Sequence, residues 1–579
     1  MRRLIATCLG LMVWTTVTHA QAPATRSAAG LTDHPPQLVQ LAKEWREWRS
    51  TSSAPIDDFA GRVAAQKTGV ADFKKRIEAL DMTGWSVHAK VDFLVVRSEM
   101  DDLDFDLRIV RQVSRNPDFY LTEAARRVSR LIGGRYQNAP GITVPYDAKR
   151  ADAIIKALSQ SPVIAAQAPK CLTEAVPEMA EMAIERLVDV RKNYNEFARV
   201  VGQYLPEPQK SQIGPAADAA GAAFEKLGEW LKANRPKFTA PVAVGQPAFE
   251  WYLQRVMMIP YNSEQLLMQA EMEKMRNWAF LQFELQRNQR LPALHPPATN
   301  AEYSEWKDAT DALSRLWTED HGMFTRPAKL GPMRDEDGGV WIEPFGLMGF
   351  PKEPIPAGER REFLVPPDHW FSQIYWEIGH RLDPGTNHPH SDYPGHAFEG
   401  AVSQGATCDL RKGHNMRGDA WCYMMEDAQL QMDYPFVRGP RVREWMYKLA
   451  IMRAERITVG VKFANGSMTA EEVPAHFMKN APGMEPYVAR RHELWRKFVD
   501  PAQVVTYQVG KFEYFKLLMD QMKALGDKFD LCKFNDEFFA TGQIAVSLAR
   551  WEITGADNEV RSLFQPRPIP VSAAPAVKK

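Results

Sequence analysis

The sequence predicts a mainly α protein, a large multi-helix scaffold interrupted by an irregular central segment rich in His, Gly and Pro. Three observations carry this. Apolar residues recur at spacings of three and four along most of the chain. Alternating strand patterns are scarce, and the breaks between periodic stretches hold Pro and Gly, as in Leu205-Pro206-Glu207-Pro208 and Leu291 to Pro297.

In chain order, Leu38, Leu41, Trp45 and Trp48 form the first amphipathic stripe, and Val96, Met100, Leu103 and Leu107 form the second. Longer helices are expected over Ala151 to Gln160, Leu172 to Val200, Ala216 to Asn234, Ser263 to Gln289 and Ala301 to Thr318. Others are expected over Val442 to Val459, Ala470 to Asn480 and Val504 to Ala524. The stretch from Lys329 to Gly418 lacks helical period and holds six of the 13 histidines: His369, His380, His388, His390, His396 and His414. A long irregular stretch of this kind marks functional loops. Trp370, Phe371, Tyr375 and Trp376 read as core or cleft wall before His380, which is read as structural. Met424-Met425 beside Trp421 reads as packing.

The ends set the compartment. Arg2-Arg3, the apolar run Leu4 to Val17 and the small-residue positions Ala20 and Ala22 make a signal peptide over residues 1–22, cleaved near Ala20 or Ala22. A periplasmic or secreted product is expected, with no integral membrane segment, since no later run approaches the ~18 apolar residues a span requires. The organisation expected is then a helical region over 23–240, a second over 241–564 carrying the site, and an unstructured Pro- and Ala-rich tail over 565–579. With 72 basic against 72 acidic residues there is no basic field to neutralise phosphates, so nucleic acid is excluded as the main partner. Cys171, Cys408, Cys422 and Cys532 allow two disulfides in three connectivities or remain free thiols; Cys408 with Cys422 is the first pair to test.

The densest set of ligand-type side chains runs from His388 to Glu399. His390 and His396 are six apart, which in an unbroken helix places them on different faces, but Pro394-Gly395 breaks the helix between them and can bring both imidazoles to one point. With Arg115 to Tyr120, Gly245 to Leu253, Thr506-Tyr507-Gln508-Val509-Gly510-Lys511 and Ala524 to Asp530, this segment resembles the bacterial domain-of-unknown-function 885 family, over about residues 35–555. The resemblance implies a helical, exported, zinc-peptidase-like protein. The family's His-Glu-Ala-x-Pro-Gly-His-His corresponds to His390-Ser391-Asp392-Tyr393-Pro394-Gly395-His396-Ala397 here. Its Glu-Gly-Trp-x-x-Tyr-x-Glu corresponds to Asp419 through Glu426.

By that resemblance His390, His396, Asp419 and Glu426 are the metal residues of one zinc ion, and Tyr507 is an oxyanion donor. Peptide or amide bonds, or a small-molecule substrate, would be cleaved by water activated on the metal. The sequence departs from the family at three places. Ser391 stands where the general-base Glu is expected, and a hydroxyl is no base near neutral pH. Ala397 replaces the second closing His, and Thr458-Val459-Gly460-Val461-Lys462 replaces Asp-x-Gly-x-His. Asp392 and Glu399 are the substitute bases to consider, with Asp392 taken as the catalytic candidate. The alternatives are a pseudoenzyme that binds peptides or envelope components without hydrolysis, and altered chemistry on a non-peptide substrate.

Overall fold

The structure, a computed structural model, describes residues 34–132, 145–326, 375–405, 409–411, 416–481, 498 and 500–570. His369, Trp370, Phe371, Cys408 and His414 lie outside them, as do the side chains of Tyr375 and Trp376. All regular structure among the described residues is helical.

The chain opens with α1 (Pro36–Ser52), α2 (Phe59–Glu78) and α3 (Val87–Phe105). Asp58 and Ser86 cap α2 and α3 by accepting the N–H groups of Gly61 and Ala89. A π turn, Asp106–Val110, extends α3 and ends where Arg111 takes φ 54°. Then follow α4 (Gln112–Arg115), α5 (Asp118–Ile132) and α6 (Ala148–Cys171). α6 runs through Pro162 and Pro169, well past the expected stop at Gln160.

The single helix expected over 172–200 is instead two, α7 (Pro177–Arg186) and α8 (Val190–Gly202). Pro177 occupies the first turn of α7, where no N–H is needed, and Asp189 turns the chain between them at φ 55°. α9 (Glu207–Asn234), α10 (Gln246–Arg255), α11 (Ser263–Arg287) and α12 (Asn300–Asp320) complete the first part.

The described part of the central segment is more helical than its composition suggests, holding α13 (Tyr375–Leu382), the single turn α14 (His388–Ser391) and α15 (His396–Gly405). The rest comprises α16 (Met416–Gln431), α17 (Val442–Asn465), α18 (Glu472–Asn480), α19 (Thr506–Leu525), α20 (Leu531–Ala540) and α21 (Val546–Thr554).

Two large apolar cores form among the described residues. The smaller runs from Tyr120 to Leu231 with Phe59; the larger joins α1 and α3 to α10, α11 and α16 through α21. α1 and α3 pack on α2, where the Trp45 ring lies 5.5 Å from that of Phe73, and all three join the core of the C-terminal half. At the centre of the larger core α19 lies directly on α16: a Cβ added to Gly510 would stand 2.5 Å from the Ala420 Cβ. Next to this contact Lys511, wholly buried, donates to Glu273 of α11 at 2.6 Å and to Asp427 of α16 at 2.8 Å.

Cys422 is a buried free thiol on α16, so the pairing with Cys408 is not formed; Cys171 and Cys532 are free as well. Burial beside Asp419 and Glu399 pushes the Cys422 thiol up, which makes it inert. The first tail residues are held along α10, where the carbonyls of Gln565 and Arg567 accept from Arg255 and Trp251. Residues 571–579 lie outside the described residues.

A carboxyl cluster under α3 is sensitive to pH. Burial, with Asp102 adding to it, pushes Asp106 up to about 7, and the same two causes push Asp500 up to about 7. A carboxyl raised above its unfolded value stabilises the fold fully below about pH 4 and loses that contribution as pH rises through about 7. Asp106 alone would then cost up to about 2 kcal/mol between about pH 5.5 and about pH 8. Asp106→Asn should raise the urea midpoint at the higher pH and flatten its pH dependence. A pH dependence identical to the parent's would contradict this.

Candidate metal centre

The site begins with a broken helix. α14 ends just after His390, the chain turns through Tyr393-Pro394-Gly395, and α15 starts at His396. Gly395 is required at this turn, because a Cβ there would fall 1.9 Å from the His390 carbonyl oxygen. The buried Trp421 of α16 donates through Nε1 to the Pro394 carbonyl at 2.7 Å and fixes the turn to the helix below. The Pro-Gly break thus does what the sequence suggested. The His390 and His396 imidazoles meet edge to face with centroids 5.0 Å apart.

α16 supplies the acids. Asp419 and Glu426 are seven residues apart, which returns to the same helix face after two turns, about 10.5 Å along the axis. They flank the imidazole pair from two sides. His390 Nδ1 lies 2.8 Å from Glu426 Oε1, and His396 Nε2 lies 3.4 Å from Asp419 Oδ1. The four residues stand as two facing pairs rather than one closed shell.

Other elements hold the outer oxygens. Arg453 of α17 donates to Glu426 Oε2 at 2.6 Å, and Thr506 at the start of α19 donates to Asp419 Oδ2 at 2.5 Å. The Tyr507 ring stacks on His390 with centroids 6.2 Å apart, lies beneath the Arg456 guanidinium, and accepts from Gln503 at its hydroxyl.

Burial pushes the His390 imidazole below its ordinary value, and Glu426 offsets this only in part. Burial would raise the Asp419 carboxyl, but His396 and Thr506 outweigh it and hold the group below its usual range. A neutral imidazole at His390 and an ionised carboxylate at Asp419 are the protonation states a metal requires. The His390 Nδ1 and Glu426 Oε1 atoms face each other at 2.8 Å as a buried pair, and neither has a hydrogen bond to any other group. Two imidazoles and two carboxylates are donor types that a divalent transition metal such as zinc takes, held here as two pairs rather than gathered within 4.8 Å of one another. His396, with 32% of its side chain exposed, is the one of the four open to solvent.

The substitute bases have other partners. Asp392 Oδ2 lies 2.8 Å from His388 Nδ1, and Asp311 faces His388 Nε2 at 3.2 Å. Burial opposes charge on His388, but the two carboxylates outweigh it and raise its pKa to about 9. Glu399 is bound by the buried Arg417 at 2.7 Å and by Gln543 at 2.7 Å. Sequence reasoning missed the roles of Arg453 and Thr506, and gave His388 no partner. Arg453 and Arg456, three apart beside Glu455 in the mostly apolar stretch from Leu449 to Val461, were a readable signal, since a buried guanidinium needs a partner.

Gly395→Ala should lose the turn, costing at least about 2 kcal/mol in urea unfolding, because backbone rather than a flexible side chain blocks the added methyl. Gly400→Ala on α15, where the methyl meets nothing within 4 Å, should leave stability equal or slightly higher. Equal midpoints for the two variants would show that Gly395 does not set the turn.

Comparisons with known proteins agree with this architecture. A protein from Shewanella oneidensis, described as a "putative lipoprotein of unknown function", superposes with a TM-score of 0.63 at 14% identity, covering 90% of this chain and 100% of that one. One from Colwellia psychrerythraea, also described as a lipoprotein of that provisional kind, gives 0.65 at 14% identity over 90% and 98%. At such identity the likeness is one of fold. No curated protein matches the chain. Residues 383–553, which carry the two histidines, both acids and Tyr507, match the family model of the bacterial proteins of unknown function DUF885, so that segment is similar to this family.

Proposed function

We propose that the chain is an exported, metallopeptidase-like hydrolase that acts on a peptide or amide carbonyl with one zinc-class ion. The observation that carries this reading is the meeting of four ligand-type side chains, His390 Nδ1 2.8 Å from Glu426 Oε1 and His396 Nε2 3.4 Å from Asp419 Oδ1. When bound, the ion would supply Lewis acidity toward a carbonyl oxygen, with His390, His396, Asp419 and Glu426 as its residues.

The remaining groups have roles the chain itself defines. Arg453 and Thr506 each occupy one oxygen of a carboxylate and so aim the other at an imidazole. Tyr507, stacked on His390, presents a phenol suited to hydrogen-bonding negative charge that develops on a substrate oxygen. Export is supported by the signal-like residues 1–22 and by neighbours described as lipoproteins. No helix among the described residues is long and apolar enough to cross a membrane.

One observation favours a second reading, peptide binding without turnover. Ser391 cannot act as a base, Asp392 faces a cationic His388, and Glu399 is committed to Arg417 and Gln543. Elemental mass spectrometry should find one zinc fewer per chain in a His390→Ala, His396→Ala variant than in the parent; equal content would overturn the metal assignment. A peptide-library digest read by mass spectrometry separates the two readings. Cleavage that disappears in the variant supports the hydrolase, and zinc-dependent peptide retention without cleavage supports the binding protein.

A further inference from the structure

A second group of ligand-type side chains lies where the segment before α1 meets α3 and α21. His88 and Asp92 are four residues apart on α3 and so share one helix face. His34, just before α1, folds back against them, its ring 5.3 Å from that of His88. One nitrogen from each histidine and one Asp92 oxygen lie within 4.8 Å of one another. Asp92 has no exposed side-chain surface, and His88 is 11% exposed.

The surroundings orient these three residues as a second shell does. Arg411 holds Asp92 Oδ1 through Nε at 2.6 Å, and Asp92 Oδ2 faces His34 Nδ1. Glu552 of α21 faces His88 Nδ1 and is itself held by Arg411 Nη1 at 2.7 Å. Arg411 Nη2 also lies 2.9 Å from His88 Nδ1, but its hydrogens reach Glu552 at 3.2 Å and the His88 carbonyl at 3.2 Å. With the Nδ1 proton directed to Glu552, the His88 lone pair is on Nε2. That atom is buried and has no hydrogen-bond partner. A carboxylate on one imidazole nitrogen and a bare lone pair on the other is the arrangement of a metal-binding histidine.

We propose that His34, His88 and Asp92 form a further site for a divalent transition metal of the zinc class, separate from the His390 and His396 centre. Two imidazoles and one carboxylate select such an ion over calcium or magnesium, which prefer all-oxygen sites. The ion would fasten the segment before α1 to α3 and, through Glu552 and Arg411, to the C-terminal helices. It does not depend on the proposed hydrolase.

The test uses the purified protein carrying His390→Ala and His396→Ala, so that the first centre contributes nothing. After equilibrium dialysis against zinc chloride, this protein should retain about one zinc per chain and show a higher Tm than in EDTA. Adding His88→Ala should abolish both effects. Adding His34→Ala, at the edge of the fold, should weaken zinc binding at least about tenfold while leaving the Tm in EDTA unchanged. Absence of zinc in the double variant, or full retention after His34→Ala, would overturn the proposal.

Discussion

The arrangement of the centre depends on how closely α19 approaches α16. Gly510 has no side chain where it meets Ala420, and only that absence lets the two backbones lie in direct contact. The contact carries Thr506 to Asp419 and the Tyr507 ring to His390, so a packing constraint between two helices becomes the geometry of the centre. Lys511, one residue on, adds a charge clamp from α19 to Glu273 and Asp427. Because its cation and both carboxylates are shielded from water, the three groups fix register as much as they add stability.

The second constraint is the broken turn between α14 and α15. A continuous helix would separate His390 from His396; the turn at Pro394-Gly395, tied to Trp421, brings them together. Two imidazoles from one side meet two acids from a single helix face on the other, as two facing pairs. Rigid elements of this kind suit a site that must hold its ligands ready.

Much of this was legible in the sequence, for identifiable reasons. The long amphipathic helices declared themselves because their period is local. Asp419 and Glu426 were readable only through the family resemblance, and the pairing of His390 with His396 from the Pro-Gly between them. Proline misled in both directions: α6 absorbs Pro162 and Pro169, while Pro177 starts a new helix inside what read as one. Burial elsewhere in the fold decides such cases, and a local pattern does not carry it. The central segment read as irregular because its short helices take their stability from Trp421 and α16 rather than from their own composition. Arg453, Thr506 and the His34 group depend on contacts between distant parts of the chain, so their partners could not be read in advance. Cys422 read as a disulfide partner from proximity alone, whereas the structure buries it in the core.

The central claim is that the four residues of α14, α15 and α16 gather one metal ion. Anomalous diffraction from crystals of the zinc-soaked protein, recorded on both sides of the zinc edge, tests it most directly. A difference peak bounded by His390, His396 and the carboxylates of α16 is the result this account requires. Crystals showing the four side chains in place and no anomalous peak among them would contradict it.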